Sequence, residues 1–430
     1  MKKILKLTAL VMTVILIMSA AVIPSGAMSQ RKINKNSFVT DYPFVFVHGM
    51  GGWGPTNSFY DKSPYWGGGL SISDTDLIKI LNSQGVKAYA VQVGPLNSAW
   101  DRACELYAQL TGTVTDYGEA HSKAHGHDRY GFSYIGNATM GKPWNLKDKI
   151  NLVGHSFGGA TIRLFSSLMT YGAPEEVKAT GDSTSALFKG GHNNIHACVT
   201  LSAPHNGTQV CNMIYDLKVP FLFLCFAYNF VGAVFGNNFL VFSMQMSHFG
   251  LTPAQNKKRT LISPEKIINY YTAEDNCYSD MTIRGARALN ETVKLSPDTY
   301  YYSYSTSATT PTGIGGRQKI VDSVTPIFKI SSSLIAISEG KTYDGIKISG
   351  NWAVNDGIVP LASALYPESD KSTATDYENA LAENKKIKKG RWYYMDTIVG
   401  MDHFDFCGTE DYPVSFEDFY FSMVETVNSR

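Results

Sequence analysis

Gly154-His155-Ser156-Phe157-Gly158, followed by Gly159, is the stretch whose residue types and spacing speak most directly of chemistry. A serine hydroxyl becomes a useful nucleophile only when a base takes its proton and its position is enforced. Glycines two residues to either side allow a sharp strand-to-helix turn that presents the hydroxyl at its tip. The flanks suit that turn. Lys149-Ile150-Asn151-Leu152-Val153 reads as a buried strand, and a helical pattern starts at Ala160 and continues through Ile162, Leu164, Phe165 and Leu168. The first N–H groups of such a helix favour developing negative charge. Phe157 N–H is therefore expected as one oxyanion donor. The second is expected from the loop His48-Gly49-Met50, which ends an earlier strand, with Met50 N–H as the candidate.

A nucleophile on such a turn takes its acid and then its base from later in the chain. The histidines after Ser156 are His192, His196, His205, His248 and His403. His403 follows the strand-like run Trp392-Tyr393-Tyr394-Met395 near the C-terminus, where a base on the last loop belongs. His205 precedes the acid candidate and breaks the order. That acid is Asp356, in Asn355-Asp356-Gly357-Ile358-Val359. The competing reading of Asp356 is a plain Asp-Gly turn. Asp402 is adjacent to His403 and poorly placed to accept a bond from its ring. Ser156, Asp356 and His403 together would carry acyl transfer through an acyl-enzyme.

A second group has different chemistry. Asp101 is followed by His121, His125 and His127. Imidazole combined with carboxylate suits zinc, and a closed set of four ligands would be structural. The spacing does not say which of the three histidines bind, and a solvated polar loop is the alternative reading.

The elements that must position these residues follow from hydropathy. Phe44–Val47, Lys149–Val153, His196–Leu201 and Thr299–Tyr304 are short runs that each lead into a turn or helix, predicting an α/β fold with a mostly parallel sheet flanked by helices. Residues 55–142, rich in Gly, Tyr, Trp and His, read as an insertion. The apolar stretch within 215–250 reads as an amphipathic lid. Read instead as a membrane span, it would put Ser156 on the opposite side from Asp356 and His403. Residues 368–389 read as an exposed loop or helix. At the N-terminus, Lys2, Lys3 and Lys6 precede an apolar run and Ser25-Gly26-Ala27, predicting a signal peptide at 1–27 and a mature catalytic domain at 28–430; an uncleaved anchor is the alternative. Lys and Arg number 38 against 37 Asp and Glu, a balance that argues against a nucleic-acid partner. The six cysteines form no C-x-x-C pair, and their spacings reveal no pairing.

The chain resembles the thermoalkalophilic bacillary lipases and their staphylococcal relatives, which are zinc-containing α/β-hydrolases. The likeness is carried by the runs 93–105 and 116–127, Ala203-Pro204-His205-Asn206-Gly207-Thr208 and Asn355–Val359. It implies a triad of Ser156, Asp356 and His403, oxyanion donors at Met50 and Phe157, and a structural zinc on Asp101, His121, His127 and Asp275. His125 then drops out as a ligand. The resemblance also implies a calcium near His403, for which Asp405 matches one carboxylate and Glu410 stands about where another would be. Gly154 departs from the bacillary Ala and matches the staphylococcal version. The implied protein is a secreted lipase or carboxylesterase acting on esters at a lipid or polymer interface, with the lid touching lipid. An acyltransferase or a polymer-directed esterase would use the same triad. A non-catalytic surface-binding protein would lack a triad member, and none is missing.

Overall fold

Apolar runs with no polar face need cover on both sides, and they build the centre of this molecule. The computed structural model describes residues 42–430 except 58–59, 70–74, 217–244, 246, 250–269, 271–272, 313–317, 323 and 409–414. Its principal strands are β1 (Phe44–Val47), β2 (Ala88–Ala90), β3 (Val114–Asp116), β4 (Tyr130–Ser133), β5 (Ile150–His155), β6 (Ile195–Leu201), β7 (Tyr300–Tyr304), β8 (Thr375–Asp376) and β9 (Trp392–Tyr394). Seven of them form one sheet in the order β8-β9-β7-β6-β5-β1-β2. Every neighbouring pair in it is parallel. β3 and β4 make a separate antiparallel pair.

The register explains how one sheet serves two cores. Phe46, Val153, Val199, Tyr302 and Tyr393 lie in one row across it and feed the core on one face. The next row, Val45, Leu152, Cys198, Tyr301 and Trp392, feeds the core on the other. Successive side chains on a strand point to opposite faces, so both rows must be apolar. The first face is covered by α1 (Leu77–Ser83) and by the C-terminal helix Phe416–Asn428, through residues such as Leu81, Phe419, Tyr420 and Val424. The second is covered by α2 (Ala99–Thr111) and α4 (Phe157–Tyr171). Between them in sequence, α3 (Glu119–His125) connects β3 to β4.

The four anticipated strands are present. The helix behind Ser156 begins at Phe157, three residues before its apolar pattern starts. Gly158 and Gly159 conceal that start. A Cβ on Gly158 would come within 2.3 Å of Val47 O, and one on Gly159 within 2.3 Å of Ala203 Cβ. The stretch 55–142 is not separate throughout, because β2 is the edge strand of the main sheet and α2 packs against α4. Residues 368–389, read as a loop or helix, contribute the opposite edge strand β8. Cys104, Cys198, Cys211, Cys277 and Cys407 are buried free thiols. The expected signal peptide, nearly all of the expected lid, Cys225 and Glu410 lie outside the described residues.

Candidate active site

Ser156 follows β5 and precedes α4 with φ 54° and ψ −128°, a region that non-glycine residues rarely occupy. The turn is held at both ends. Ser156 N–H donates to Leu201 O at 2.8 Å, and Ser156 O accepts from Gly159 N–H at 2.9 Å. Ser156 Oγ lies 2.8 Å from His403 Nε2, and His403 Nδ1 lies 2.7 Å from Asp356 Oδ2. The three residues come from chain positions far apart, and all are buried. Asp356 is itself fixed: its Oδ1 accepts from Ile358 N–H at 3.0 Å and Val359 N–H at 2.7 Å. Its backbone carbonyl takes His403 N–H at 2.8 Å. With Nδ1–H committed to a carboxylate, Nε2 is left with a lone pair facing the serine hydroxyl. That arrangement can withdraw the Ser156 proton and stabilise the imidazolium that results.

The ring of His155 supports this from behind, a role the sequence did not announce. Its Nε2 lies 2.8 Å from His403 O, a carbonyl, so Nε2 must carry the proton. Its Nδ1 therefore accepts, and Tyr65 O–H donates to it at 2.6 Å. The Tyr65 oxygen in turn accepts from Gly49 N–H at 3.0 Å. Burial, reinforced by the neighbouring His403, holds His155 neutral well below the ordinary histidine range. One chain of hydrogen bonds thus joins the loop before Met50 to the loop of His403. Phe157 is the first residue of α4, so its N–H has no carbonyl one turn earlier in that helix. A Cβ on Gly49 would come within 2.7 Å of Ser156 Cβ, which places the His48–Met50 loop directly against the nucleophile.

Asp101, His121, His127 and Asp275 form a second buried group, with one ligand atom of each within 4.8 Å of the others. His121 Nε2 is 3.4 Å from Asp101 Oδ1 and 3.2 Å from Asp275 Oδ2. His127 Nε2 is 3.2 Å from Asp275 Oδ2 and 4.0 Å from Asp101 Oδ1. Four ligands about 2.1 Å from a tetrahedral ion stand about 3.4 Å from one another, close to these edges. Asp101 Oδ1 and His127 Nε2 are buried without a hydrogen-bond partner. Burial opposes a charge on His121, but the Asp101 and Asp275 carboxylates beside it outweigh that and raise its pKa to about 10. Protons thus collect where two carboxylates converge, and a cation fits there. His125 turns away, its Nδ1 3.0 Å from Ala273 O. Chain order offers His248 only as a candidate base. It sits here instead, 2.9 Å through Nε2 from Asp101 Oδ2, leaving Oδ1 for an ion. Asp405 is buried and its Oδ2 accepts from Asp402 N–H at 2.6 Å.

Three fully buried histidines give a stability prediction. Burial pulls His48 down to about 3, and it pulls His155 and His205 well below the ordinary range. The unfolded chain binds protons on these rings below about pH 6.5, whereas the folded chain does not. Their contribution to stability is therefore lost as pH falls from about 6.5 toward 4, at about 4 kcal/mol per pH unit if all three rings stay neutral. Glu105 and Asp280, which burial raises to about 8 and about 7, bind protons in the folded chain over the same range and offset about 3 kcal/mol per pH unit of it. Urea midpoints of wild type and His205→Gln at pH 7, 6 and 5 isolate one ring: the variant's slope should be shallower by about 1.4 kcal/mol per pH unit, and equal slopes would contradict the assignment.

The family described as "Lipase-like, C-terminal domain" matches residues 40–425. This chain belongs to that family. Lipase 2 of Staphylococcus aureus (strain MRSA252) is 32% identical over 92% of this chain and 54% of its own length. The lipase of Staphylococcus epidermidis (strain ATCC 35984) is 31% identical over 89% of this chain and 52% of its own. The chain thus spans about half the length of these curated relatives. Among solved structures, the Staphylococcus hyicus lipase aligns with TM-score 0.76 and 29% identity over 93% of this chain and 98% of that one. EstA from Clostridium botulinum aligns with TM-score 0.76 and 28% identity over 97% of both chains. Lipase 1 from Pelosinus fermentans aligns with TM-score 0.69 and 32% identity over 91% of this chain and 99% of that one. The lipase-like domain accordingly has an α/β-hydrolase-like fold, and its relationship to the staphylococcal lipases holds over most of its length.

Proposed function

We propose that this lipase-like domain is a secreted ester hydrolase that acts at lipid surfaces through Ser156, His403 and Asp356. The observation that carries the reading is the unbroken chain Ser156 Oγ–His403 Nε2, His403 Nδ1–Asp356 Oδ2, built on a strained elbow. Ser156 attacks the ester carbonyl while His403 accepts its proton. Met50 and Phe157 N–H groups hold the oxyanion. His403 passes the proton to the departing alcohol and then activates the water that releases the acid. Asp101, His121, His127 and Asp275 would hold a zinc ion that ties their segments together and neutralises two buried carboxylates.

Ser156→Ala should reduce turnover of a nitrophenyl ester to background with an unchanged circular dichroism spectrum. Substantial residual turnover would sink the assignment. The apolar run Phe221-Leu222-Phe223-Leu224-Cys225-Phe226 supports contact with lipid. Specific activity on a short-chain triglyceride should therefore rise several-fold once the substrate exceeds its solubility and forms an emulsion. Equal activity on monomeric and emulsified ester would count against a lid. The basic residues and apolar run at the N-terminus, read as a signal peptide, support export. Among the described residues no helix is long and apolar enough to cross a membrane.

A further inference from the structure

Arg102 follows Asp101 in α2 and is completely buried. A guanidinium removed from water needs acceptors for its donors. Here they are two backbone carbonyls of one loop: Nη2 donates to His48 O, and Nη1 donates to Gly49 O at 3.4 Å. The same guanidinium lies 5.1 Å from the centre of the Phe157 ring. Burial lowers its pKa to about 10, so it is still charged at neutral pH.

A trans peptide points its C=O and its N–H in opposite directions. Gly49 O and Met50 N–H belong to the same peptide, so whatever grips the carbonyl decides where the N–H points. Gly49 O also accepts from Gly52 N–H at 3.2 Å and lies 2.9 Å from His48 Nδ1; Arg102 ties this carbonyl to that of His48. We propose that Arg102 is the positioning residue of the oxyanion hole: its grip on the His48 and Gly49 carbonyls keeps Met50 N–H aimed at the ester oxygen held at Ser156. Its position over the Phe157 ring puts that donor residue and the 48–49 loop against one side chain. The inference rests on the ester-hydrolase reading above.

The test compares wild type, Arg102→Met and Arg102→Lys in kcat and KM on nitrophenyl butyrate. It adds two inhibitors: butaneboronic acid, whose adduct with a serine places an oxygen in the hole, and 1-butanol as a ground-state competitor. Arg102→Met should lose about 10²-fold in kcat, the scale of one oxyanion donor. KM should stay within about threefold, boronate affinity should fall in step with kcat, and butanol inhibition should not change. Lysine can reach one of the two carbonyls, so Arg102→Lys should recover part of both losses. If Arg102→Met does not fold, Arg102→Lys carries the test alone, with about a tenfold loss expected in kcat and in boronate affinity. An Arg102 variant that folds and keeps wild-type kcat overturns the proposal, as does equal weakening of boronate and butanol. An inactive wild type would instead overturn the reading of the site itself.

Discussion

Asp356→Asn should lower kcat by about 10⁴-fold on any ester the wild type accepts, the scale found when the triad acid of a serine protease is made neutral. The reason is tautomeric. Asp356 Oδ2 holds the proton on His403 Nδ1, so Nε2 faces Ser156 with a lone pair. An asparagine can keep its carbonyl oxygen on the Ile358 and Val359 N–H groups, where Asp356 Oδ1 sits now. Its NH2 then faces Nδ1. The proton moves to Nε2, and the ring can no longer accept from the serine. Because two of the three hydrogen bonds to the side chain survive, the melting temperature should move by only a few degrees. KM should hold within a few-fold, since the ester-binding surface is untouched. Stopped-flow or nitrophenyl-release kinetics beside a thermal melt would decide it. A loss of less than tenfold would mean that Asp356 is only the Asp-Gly turn its sequence also allows.

Removing metal should lower the melting temperature by about 4–8 °C, and one equivalent of zinc should restore it. An ion present at about a thousand times its dissociation constant stabilises the folded state by about 4 kcal/mol, and a domain of this size melts one to two degrees lower for each kcal/mol, by roughly extrapolated size scaling. Without the ion, Asp101 and Asp275 face each other across a buried space. Asp101 Oδ1 and His127 Nε2 then lack a well-formed hydrogen bond, and buried groups in that state cost about 1–3 kcal/mol each. Asp275→Asn should release the metal, whereas His125→Ala should leave both stoichiometry and melting temperature unchanged. Less than about half an equivalent of zinc in the purified protein, with no effect of chelator on melting, would remove the ion from this account.

Much of the arrangement around Ser156 was legible in the sequence because each part obeys a local rule. The elbow glycines and the buried strand before them occupy adjacent positions, so Ser156 could be read from eleven residues or so of chain. His403 and Asp356 were legible by order along the chain. The resemblance supplied Asp275, which residue spacing alone left open. Tyr65, Arg102 and His248 were not legible as site residues, and for one reason. Each acts by meeting a group far away in the chain: Tyr65 the His155 ring, Arg102 two carbonyls of the 48–49 loop, His248 the Asp101 carboxylate. Nothing in a linear pattern marks such a meeting. The edge strands were hard to place for a different reason. Residues 375–376 give only two residues to the sheet, too few to show the period-two alternation that identifies a strand.

His121 and Asp275 are separated by 154 positions in the chain, and the elbow with its strand and helix lies between them. An ion held by that pair closes a loop around the nucleophile. By the loop-entropy relation for cross-links, a closure of that length takes about 5 kcal/mol of freedom from the unfolded chain. The described cysteines are all free, so none of them provides a comparable cross-link. For the described part of this protein, reaching the stable fold would then depend on a supply of metal rather than on an oxidant. A chain released where metal is scarce would remain open to proteases for longer, because the segment that carries Ser156 would be the one left unfastened.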